Sequence, residues 1–139
     1  MEVQEILALD VGVRRTGIAR ASSVARLAEP LTSAPTKDVI ATLKEYLSEH
    51  DVEAIAIGLP RNLKGEDTKQ TLWVREWTNK AKSSLRAPIY WQDEALTSLQ
   101  AQAKSSELRT KSPIDEHSLA AAIILQDFLD SAEADRMMA

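Results

Sequence analysis

The spacing of apolar residues changes from a strand period to a helical period at Thr36. Before this residue, short apolar runs are separated by glycine, arginine and serine, which predicts three strands of an antiparallel meander at 5–11, 15–21 and about 24–28. From Thr36, a predicted N-cap, apolar residues recur at helical spacing through Glu49. The first third of the chain is therefore predicted to be a small sheet followed by an amphipathic helix.

The rest of the chain alternates strands with helices. VEAIAIG at 52–58 has no polar face, which predicts a central strand covered on both sides. The segment from about Asp67 to Leu85 carries Trp73 and Trp77 four residues apart. We expect this helix to pack both rings against the sheet rather than against nucleic-acid bases. Further along, the pattern predicts a strand at 88–92 and helices at 95–108 and 112–130.

This order of elements predicts an α/β fold with a mixed sheet, antiparallel where hairpins join the strands and parallel where helices cross over. The 139 residues are expected to form a single domain, 1–139, without a linker, and 131–139 is expected to fray. The acidic N-terminus breaks its apolar run after five residues, so we expect neither a signal peptide nor a membrane span. The chain has no cysteine, which fits a cytoplasmic protein.

The overall charge argues against a protein that coats nucleic acid. The formal net charge is −4 and the pI is about 5.2, so any contact with phosphate has to be local. Basic residues do gather in predicted loops, where they serve either as solubilising surface charge or as such a local contact. These residues are Arg14, Arg15, Arg61, Lys64, Lys69, Lys104, Arg109 and Lys111.

Acidic residues flank the predicted elements at three distant places. Asp10 ends the first strand, Asp93 and Glu94 follow a later strand, and Asp115 stands near His117 at the start of the last helix. Ligands gather at the carboxyl ends of parallel strands, so these side chains are candidates for one site, where their mutual repulsion would need a cation. Oxygen ligands of this kind suit Mg²⁺ or Mn²⁺, and such a site equips a protein for phosphodiester hydrolysis.

Each of these residues also has a purely structural interpretation. Asp10 fits a turn, and the pair Asp93 and Glu94 fits the polar start of the following helix. The segment 112–115, SPID, fits a capping box with proline at the first helical position, and His117 fits an exposed residue at the helix start. Spacing alone leaves both interpretations open.

The four glycines fall in only two stretches. Gly12 and Gly17 follow Asp10, and Gly58 and Gly65 bound GLPRNLKG. Glycine is needed where the backbone takes a positive φ or approaches something closely, which marks both stretches as special. GLPRNLKG would suit a loop that presents amides and charge to phosphate, although it lacks the GK[ST] ending of a P-loop.

Four motifs together resemble one protein family. ALDVGVRRTGIA, IAIGLPRNLKGEDT, DEALTS and AAAIILQDFLD resemble, in order and spacing over nearly the whole chain, the YqgF/RuvX family of pre-16S ribosomal RNA nucleases, also described as Holliday junction resolvases. The resemblance implies an RNase H-like fold, in which a five-stranded mixed sheet is flanked by helices and metal-binding acids meet at the sheet edge.

The resemblance also implies site residues. Asp10 matches the first acid of the family and Glu94 the acid of its DE motif. The family usually has an arginine after this motif, where this chain has Ala95. His117 stands where the third aspartate of the family is common, and Asp115 lies two residues earlier. The implied catalytic acids are therefore Asp10, Glu94 and Asp115, and either Asp115 or His117 completes the metal site.

The implied activity is that of a nuclease dependent on Mg²⁺ or Mn²⁺, acting in 5′-end maturation of precursor 16S ribosomal RNA, in contact with the ribosomal particle and as a monomer or weak homodimer. A resolvase acting on branched DNA is the alternative, and it calls for a dimer. The two departures from the family pattern motivate a third hypothesis, a non-catalytic nucleic-acid-binding member. In each case the residues expected to hold the phosphate backbone are Arg14, Arg15, Arg61, Asn62 and Lys64.

Overall fold

The computed structural model describes residues 3–94, 115–131 and 135–139. Within these residues the chain forms a six-stranded mixed sheet and three helices, so the predicted α/β fold is confirmed. The elements are β1 (Glu5–Val11), β2 (Arg15–Ser22), β3 (Glu29–Pro35), α1 (Thr36–Glu49), β4 (Val52–Leu59), α2 (Lys69–Ser84), β5 (Ile89–Asp93), α3 (Glu116–Asp130) and β6 (Met137–Met138). None of the helices in these ranges is long and apolar enough to cross a membrane. The helix predicted at 95–108 lies outside the described residues.

The strands lie in the order β3-β2-β1-β4-β5-β6. The hairpins pair β1 with β2 and β2 with β3 in antiparallel fashion, and the crossovers through α1 and α2 make β1, β4 and β5 parallel. The sheet has one strand more than the five expected, because Met137 and Met138 pair with β5 in antiparallel fashion. The expectation that the C-terminus frays is therefore wrong for these two residues.

The third strand begins later than the sequence pattern predicts. The stretch at 24–28 is not a strand, because the hydroxyl of Ser22 accepts hydrogen bonds from the backbone N–H groups of Val24 and Ala25 and turns the chain. Arg26 then takes a positive φ of 55°, which no strand residue adopts. Pairing with β2 resumes only at Glu29.

Alternation along β1 sends its side chains to two separate cores. Leu7, Leu9 and Val11 pack with buried residues of α1 and α2, whereas Ile6 and Ala8 pack with α3. Asp10 follows the same alternation and lies on the face covered by α3. Trp77 belongs to the first core, with 9% of its surface exposed, which confirms that helical spacing placed it for packing.

The helix starts differ by a few residues from those predicted. Pro35, not Thr36, is the N-cap of α1, because the Thr36 hydroxyl is used elsewhere: it donates to the carbonyl of Gly12 at 2.6 Å. Thr68 caps α2 through a reciprocal pair of hydrogen bonds with Thr71. The N-cap of α3 is Asp115 itself, whose carboxylate accepts from the backbone N–H of His117, so the expected cap at the start of segment 112–115 is wrong.

Candidate active site

Asp10 lies in a transverse row of the sheet that crosses three strands. It pairs with Gly17 of β2, and Gly17 pairs in turn with Ser33 of β3. Directly paired residues point to the same face, so all three positions face α3. Adjacent strands are about 4.8 Å apart, which places the backbone of Ser33 about 10 Å from that of Asp10.

Gly17 explains how the start of α3 reaches Asp10. A Cβ atom at this position would lie 1.9 Å from the backbone carbonyl oxygen of His117 and 2.7 Å from the backbone nitrogen of Ser118. Any side chain there would push the helix away from the sheet. The glycine thus allows the first turn of α3 to rest directly on the strand beside Asp10.

Gly12, at the same end of β1, allows the backbone to come close to Arg15 in the hairpin. A Cβ atom here would lie 2.5 Å from the carbonyl oxygen of Arg15, which accepts a hydrogen bond from the Gly12 N–H. The Gly12 carbonyl accepts from Thr36, whose hydroxyl also bonds to Thr16. These contacts hold the hairpin after Asp10 on a rigid backbone, which confirms the close approach expected from its glycine.

Glu94 reaches the same region from the end of β5. Its backbone N–H donates to the carbonyl of Leu59 at 3.1 Å, so the residue continues the sheet pairing beyond Asp93. Gly58, in the next strand, leaves the space for it: a Cβ there would lie 2.5 Å from Ile124 Cδ1 and 3.4 Å from Glu94 Cγ. The side chain of Glu94 therefore lies between β4 and α3.

The carboxyl group of Glu94 is surrounded by other carboxyl groups. Burial, followed by the carboxyl groups of Asp127, Asp10 and Asp93, raises its pKa to about 9. One of its oxygens, Oε1, is shielded from solvent and receives no N–H or O–H donor from the residues described. Burial also raises the pKa of Asp10, partly offset by the nearby imidazole of His117.

Asp127 is a site residue that the sequence interpretation missed. It lies on α3, one turn beyond Ile124, and its carboxyl group shares a hydrogen bond with that of Glu94. It is exposed and surrounded in sequence by core residues of α3, so it looks like ordinary surface charge. Asp127 falls within the motif AAAIILQDFLD, but only the packing of α3 across β4 and β5 brings it to Glu94.

Asp115 and His117 both lie at the start of α3 but have different contacts. The Asp115 carboxylate accepts hydrogen bonds from the backbone N–H of His117, at 2.7 Å, and from the hydroxyl of Ser33 on β3. Burial opposes ionisation of this carboxyl, but the two hydrogen bonds and His117 bring its pKa below the usual value. Asp115 thus faces β3, and His117 is the residue of the two whose charge acts on Asp10.

The basic residues expected at phosphate fall into two groups. Arg14 is exposed in the hairpin after Asp10, and Arg15 is exposed with its guanidinium bonded to Ser33. Arg61 instead lies within 3.2 Å of Asp67 and 3.4 Å of Asp93, so its charge is already paired.

The loop after β4 uses its own amides internally. The Asn62 side-chain oxygen accepts from the N–H groups of Lys64 and Glu66, and its backbone oxygen accepts from Gly65, whose φ is +77°. The expectation that this loop offers these amides to phosphate is therefore wrong, because they are already hydrogen-bonded. The loop still carries the exposed ammonium group of Lys64.

The donor set at this end of the sheet suits a hard divalent cation. Asp10 and Glu94 supply carboxylate oxygens, and the orphaned Oε1 of Glu94 marks a place where positive charge is lacking. Within the described ranges no group of three or more His, Asp or Glu side chains is already spaced to hold an ion. The fit therefore rests on the pair Asp10 and Glu94, with His117 beside Asp10.

A mixed α/β sheet with two electrostatically coupled carboxyl groups at the carboxyl end of its parallel strands agrees with the expected RNase H-like fold. The fold agrees with the solved structure of Thermus thermophilus RuvC in complex with a Holliday junction substrate, at a TM-score of 0.63 and 16% identity over 98% of this chain and 99% of that one. At this level of identity the likeness concerns the fold.

Sequence comparison identifies the family. Residues 4–131 match the family model described as "RuvX: Holliday junction resolvase". A protein of Chloroflexus aurantiacus is 37% identical over 97% of this chain and 92% of its own length, and one of Porphyromonas gingivalis is 34% identical over 92% and 97%. Both are named, provisionally, as pre-16S rRNA nucleases. The chain belongs to the RuvX family, and its family and relatives support nuclease function.

Proposed function

We propose that this chain is a divalent-metal-dependent nuclease that acts in 5′-end maturation of precursor 16S ribosomal RNA. The observation that carries the metal dependence is the convergence of Asp10 and Glu94 from different strands, because the Asp10 carboxyl group raises the cost of ionising Glu94. The names of the curated relatives support the RNA substrate.

Asp10 and Glu94 would hold Mg²⁺ or Mn²⁺, and the bound ion would activate water and stabilise the leaving oxygen. For the third position we assign His117, because it is the neighbour of Asp10. Asp115, the other candidate, we assign to holding the start of α3, since its carboxylate is already bonded to that helix and to Ser33.

Basic residues around the two acids would contribute to substrate binding. Arg14 and Lys64 are exposed on the two loops that flank them and would hold the phosphate backbone of the substrate. Arg15, at the start of β2, would contact the substrate beside them, with its guanidinium bonded to Ser33. Arg61 and Asn62 would act indirectly, because one is paired with Asp67 and Asp93 and the other shapes the loop that carries Lys64.

The proposal is tested by Asp10→Asn in a cleavage assay on precursor 16S RNA with Mn²⁺ or Mg²⁺. We expect turnover to be lost while the melting temperature stays the same or rises, because a half-buried carboxyl group is replaced by a neutral amide of the same shape. Glu76→Gln, an exposed acid of α2, is the matched control and should keep full activity. Retained cleavage in the Asp10 variant would remove Asp10 from the site.

A resolvase acting on branched DNA is the second candidate, favoured by the description of the family model. Symmetric cuts on two strands call for two sites related by a two-fold axis, so this function requires a dimer. Light scattering with junction DNA separates the candidates: a strict monomer that cleaves RNA supports the first, and a dimer that cuts junctions supports the second.

A non-catalytic member of the family is the third candidate, motivated by Ala95 and His117, which depart from the family pattern. Calorimetric titration with Mn²⁺ tests it independently of any substrate. Binding that is lost in Asp10→Asn supports the nuclease, and absence of binding at millimolar concentration supports the non-catalytic interpretation.

A further inference from the structure

A groove of about 420 Å³ lies between β3 and the start of α3, on the side of that helix away from Glu94. We call it the Ser33 groove; its polar lining comes from Arg15, Thr32, Ser33, Asp115 and Ser118. Ser33 stands in the same transverse row as Asp10, two strands away, so the groove is about 10 Å from the first acid.

A chain of hydrogen bonds fixes the polar groups of this groove. The Ser33 hydroxyl accepts from the guanidinium of Arg15 at 2.8 Å and donates to the carboxylate of Asp115. Asp115 is fixed in turn by the backbone N–H of His117, and its own carbonyl accepts from the Ser118 hydroxyl. The groove is therefore shaped by α3, β2 and β3 together and does not depend on one side chain.

The charges of the Ser33 groove select against phosphate. One guanidinium and one carboxylate meet at the same hydroxyl, so they cancel, and the carboxylate would repel an anion. A guanidinium has five N–H donors and a carboxylate about four acceptor sites, of which this network uses only some. The ligand that matches a donor and an acceptor side by side is a group that both accepts and donates, such as a sugar hydroxyl.

The position of the groove relates it to the proposed cleavage site. A nucleic-acid strand that places one phosphate at Asp10 and Glu94 and runs across the start of α3 brings the sugar of a neighbouring nucleotide to the groove. RNA differs from DNA at that sugar by the 2′-hydroxyl, which is both donor and acceptor. This step rests on the proposed nuclease function of the acids.

We propose that the Ser33 groove binds the ribose 2′-hydroxyl of a nucleotide next to the cleaved bond, and that Arg15, Ser33 and Asp115 thereby make the protein prefer RNA to DNA. The hydroxyl accepts from Arg15 and donates to Asp115, and Ser33 holds the two charged groups at the right separation. This assigns the choice between the two candidate substrates to a defined set of side chains.

The test compares single-stranded RNA and DNA of the same sequence, measured for binding and for cleavage with the wild type, Ser33→Ala and the control Ser83→Ala. Ser83 is an exposed serine near the end of α2 and has no part in the groove. We expect the wild type to prefer RNA by about tenfold. Ser33→Ala should lose most of this preference by weakening RNA alone, and Ser83→Ala should keep it.

A scan of single 2′-deoxy substitutions along the RNA locates the contact. In the wild type, a 2′-deoxy substitution at one or two positions should weaken binding as much as replacing the whole RNA by DNA. In Ser33→Ala the same substitutions should have no further effect on binding. Asp115→Asn gives a second variant, because asparagine also caps helices well but lacks the charge. It too should reduce the preference for RNA.

Several results would overturn the inference. The first is equal affinity of the wild type for RNA and DNA. The second is a loss of affinity in Ser33→Ala that is equal for RNA and DNA. The third is a 2′-deoxy scan that gives the same result in Ser33→Ala as in the wild type. Equal cleavage of RNA and DNA that still requires Asp10 would leave the nuclease function intact while the groove fails. RNA-selective binding that requires Ser33, without any cleavage, would leave the groove intact while the nuclease function fails.

Discussion

The two ends of β1 carry acids whose surroundings are opposite. At its start, Glu5 accepts a hydrogen bond from the Tyr46 hydroxyl at 2.5 Å, lies 2.7 Å from His50 Nδ1 and 3.6 Å from Arg20 Nε. Tyr46 and His50 are themselves stacked, with ring centroids 3.9 Å apart. Every part of this cluster supplies a donor to the carboxylate, so the acid contributes to folding.

Near the other end of the strand, Asp10 and Glu94 have carboxyl groups for neighbours. Burial disfavours the ionised forms of both acids, and for Glu94 the neighbouring carboxyl groups add repulsion, so these acids cost the metal-free protein stability. An arrangement of this kind is retained where a ligand uses it, since stability is commonly exchanged for function at binding sites. The comparison separates an acid that serves the fold from acids that serve a bound cation.

The largest expected effect is that Glu94→Gln and Glu5→Gln affect opposite properties: the first lowers cleavage and the second lowers stability. Glu94→Gln should reduce cleavage by about 100-fold or more, because a metal-binding carboxylate is lost, while the metal-free protein melts at the same or a higher temperature. Glu5→Gln should leave kcat unchanged. Cleavage kinetics and thermal melting of both variants check this, and the comparison fails if Glu94→Gln is active or if both variants behave alike.

Gly17→Ala should have the next largest effect on the end of β1 that carries Asp10. The added Cβ meets the His117 carbonyl at 1.9 Å, so the start of α3 must shift away from Asp10. We expect a loss of about 1–3 kcal/mol in the free energy of unfolding, together with weaker Mn²⁺ binding. Urea unfolding and calorimetry measure the two effects. Ala21→Gly, a small change on the same strand, is the control and should leave Mn²⁺ affinity unchanged.

Glu5→Gln should destabilise the protein by about 1–2 kcal/mol, because the charge that binds His50 and Arg20 is removed while the hydrogen bond from Tyr46 is weakened. Urea unfolding at neutral pH measures this loss. A stability equal to that of the wild type would mean that the Glu5 cluster contributes nothing net, and the comparison between the two ends of β1 would then lose its first half.

A further expected effect is a slope of stability with pH in the absence of metal. Burial and then the carboxyl groups of Asp127, Asp10 and Asp93 raise the pKa of Glu94 from 4.5 to about 9, so between these values the folded protein keeps a proton that the unfolded chain has released. Stability is therefore full below the unfolded pKa and is lost as the pH rises through this window. Urea unfolding in EDTA at about pH 5 and about pH 8 measures the slope, and Glu94→Gln should flatten it while Glu76→Gln should not.

Much of the scaffold could be predicted from local pattern. The period change at Thr36, the apolar run of β4 and the helical spacing of Trp73 and Trp77 each reflect contacts that a single element makes with the core, and such contacts repeat along the chain. The misplacement of β3 has a local cause that the pattern hides: the Ser22 hydroxyl takes up the amides of the next residues. Element boundaries depend on such individual hydrogen bonds more than on period.

The candidate site was only partly predictable. Asp10 and Glu94 could be named because each directly follows or ends a strand and belongs to a recognisable motif. Asn62 was expected to contact phosphate, but its oxygen is used by the loop itself, and Arg61 is paired with two acids. A sequence gives the residue types in a loop, but not which of their hydrogen-bonding groups are already satisfied within it.

The sequence by itself determined the α/β class, the family and the first two acids, because these follow from periodicity and from motifs contiguous in the chain. Tertiary structure alone decided that His117 lies beside Asp10, that Asp115 binds Ser33, and that Asp127 reaches Glu94. Each of these contacts joins residues far apart in sequence, and it depends on how closely α3 approaches the sheet. That approach is set by Gly17 and Gly58, whose missing side chains matter only once the helix is packed against them.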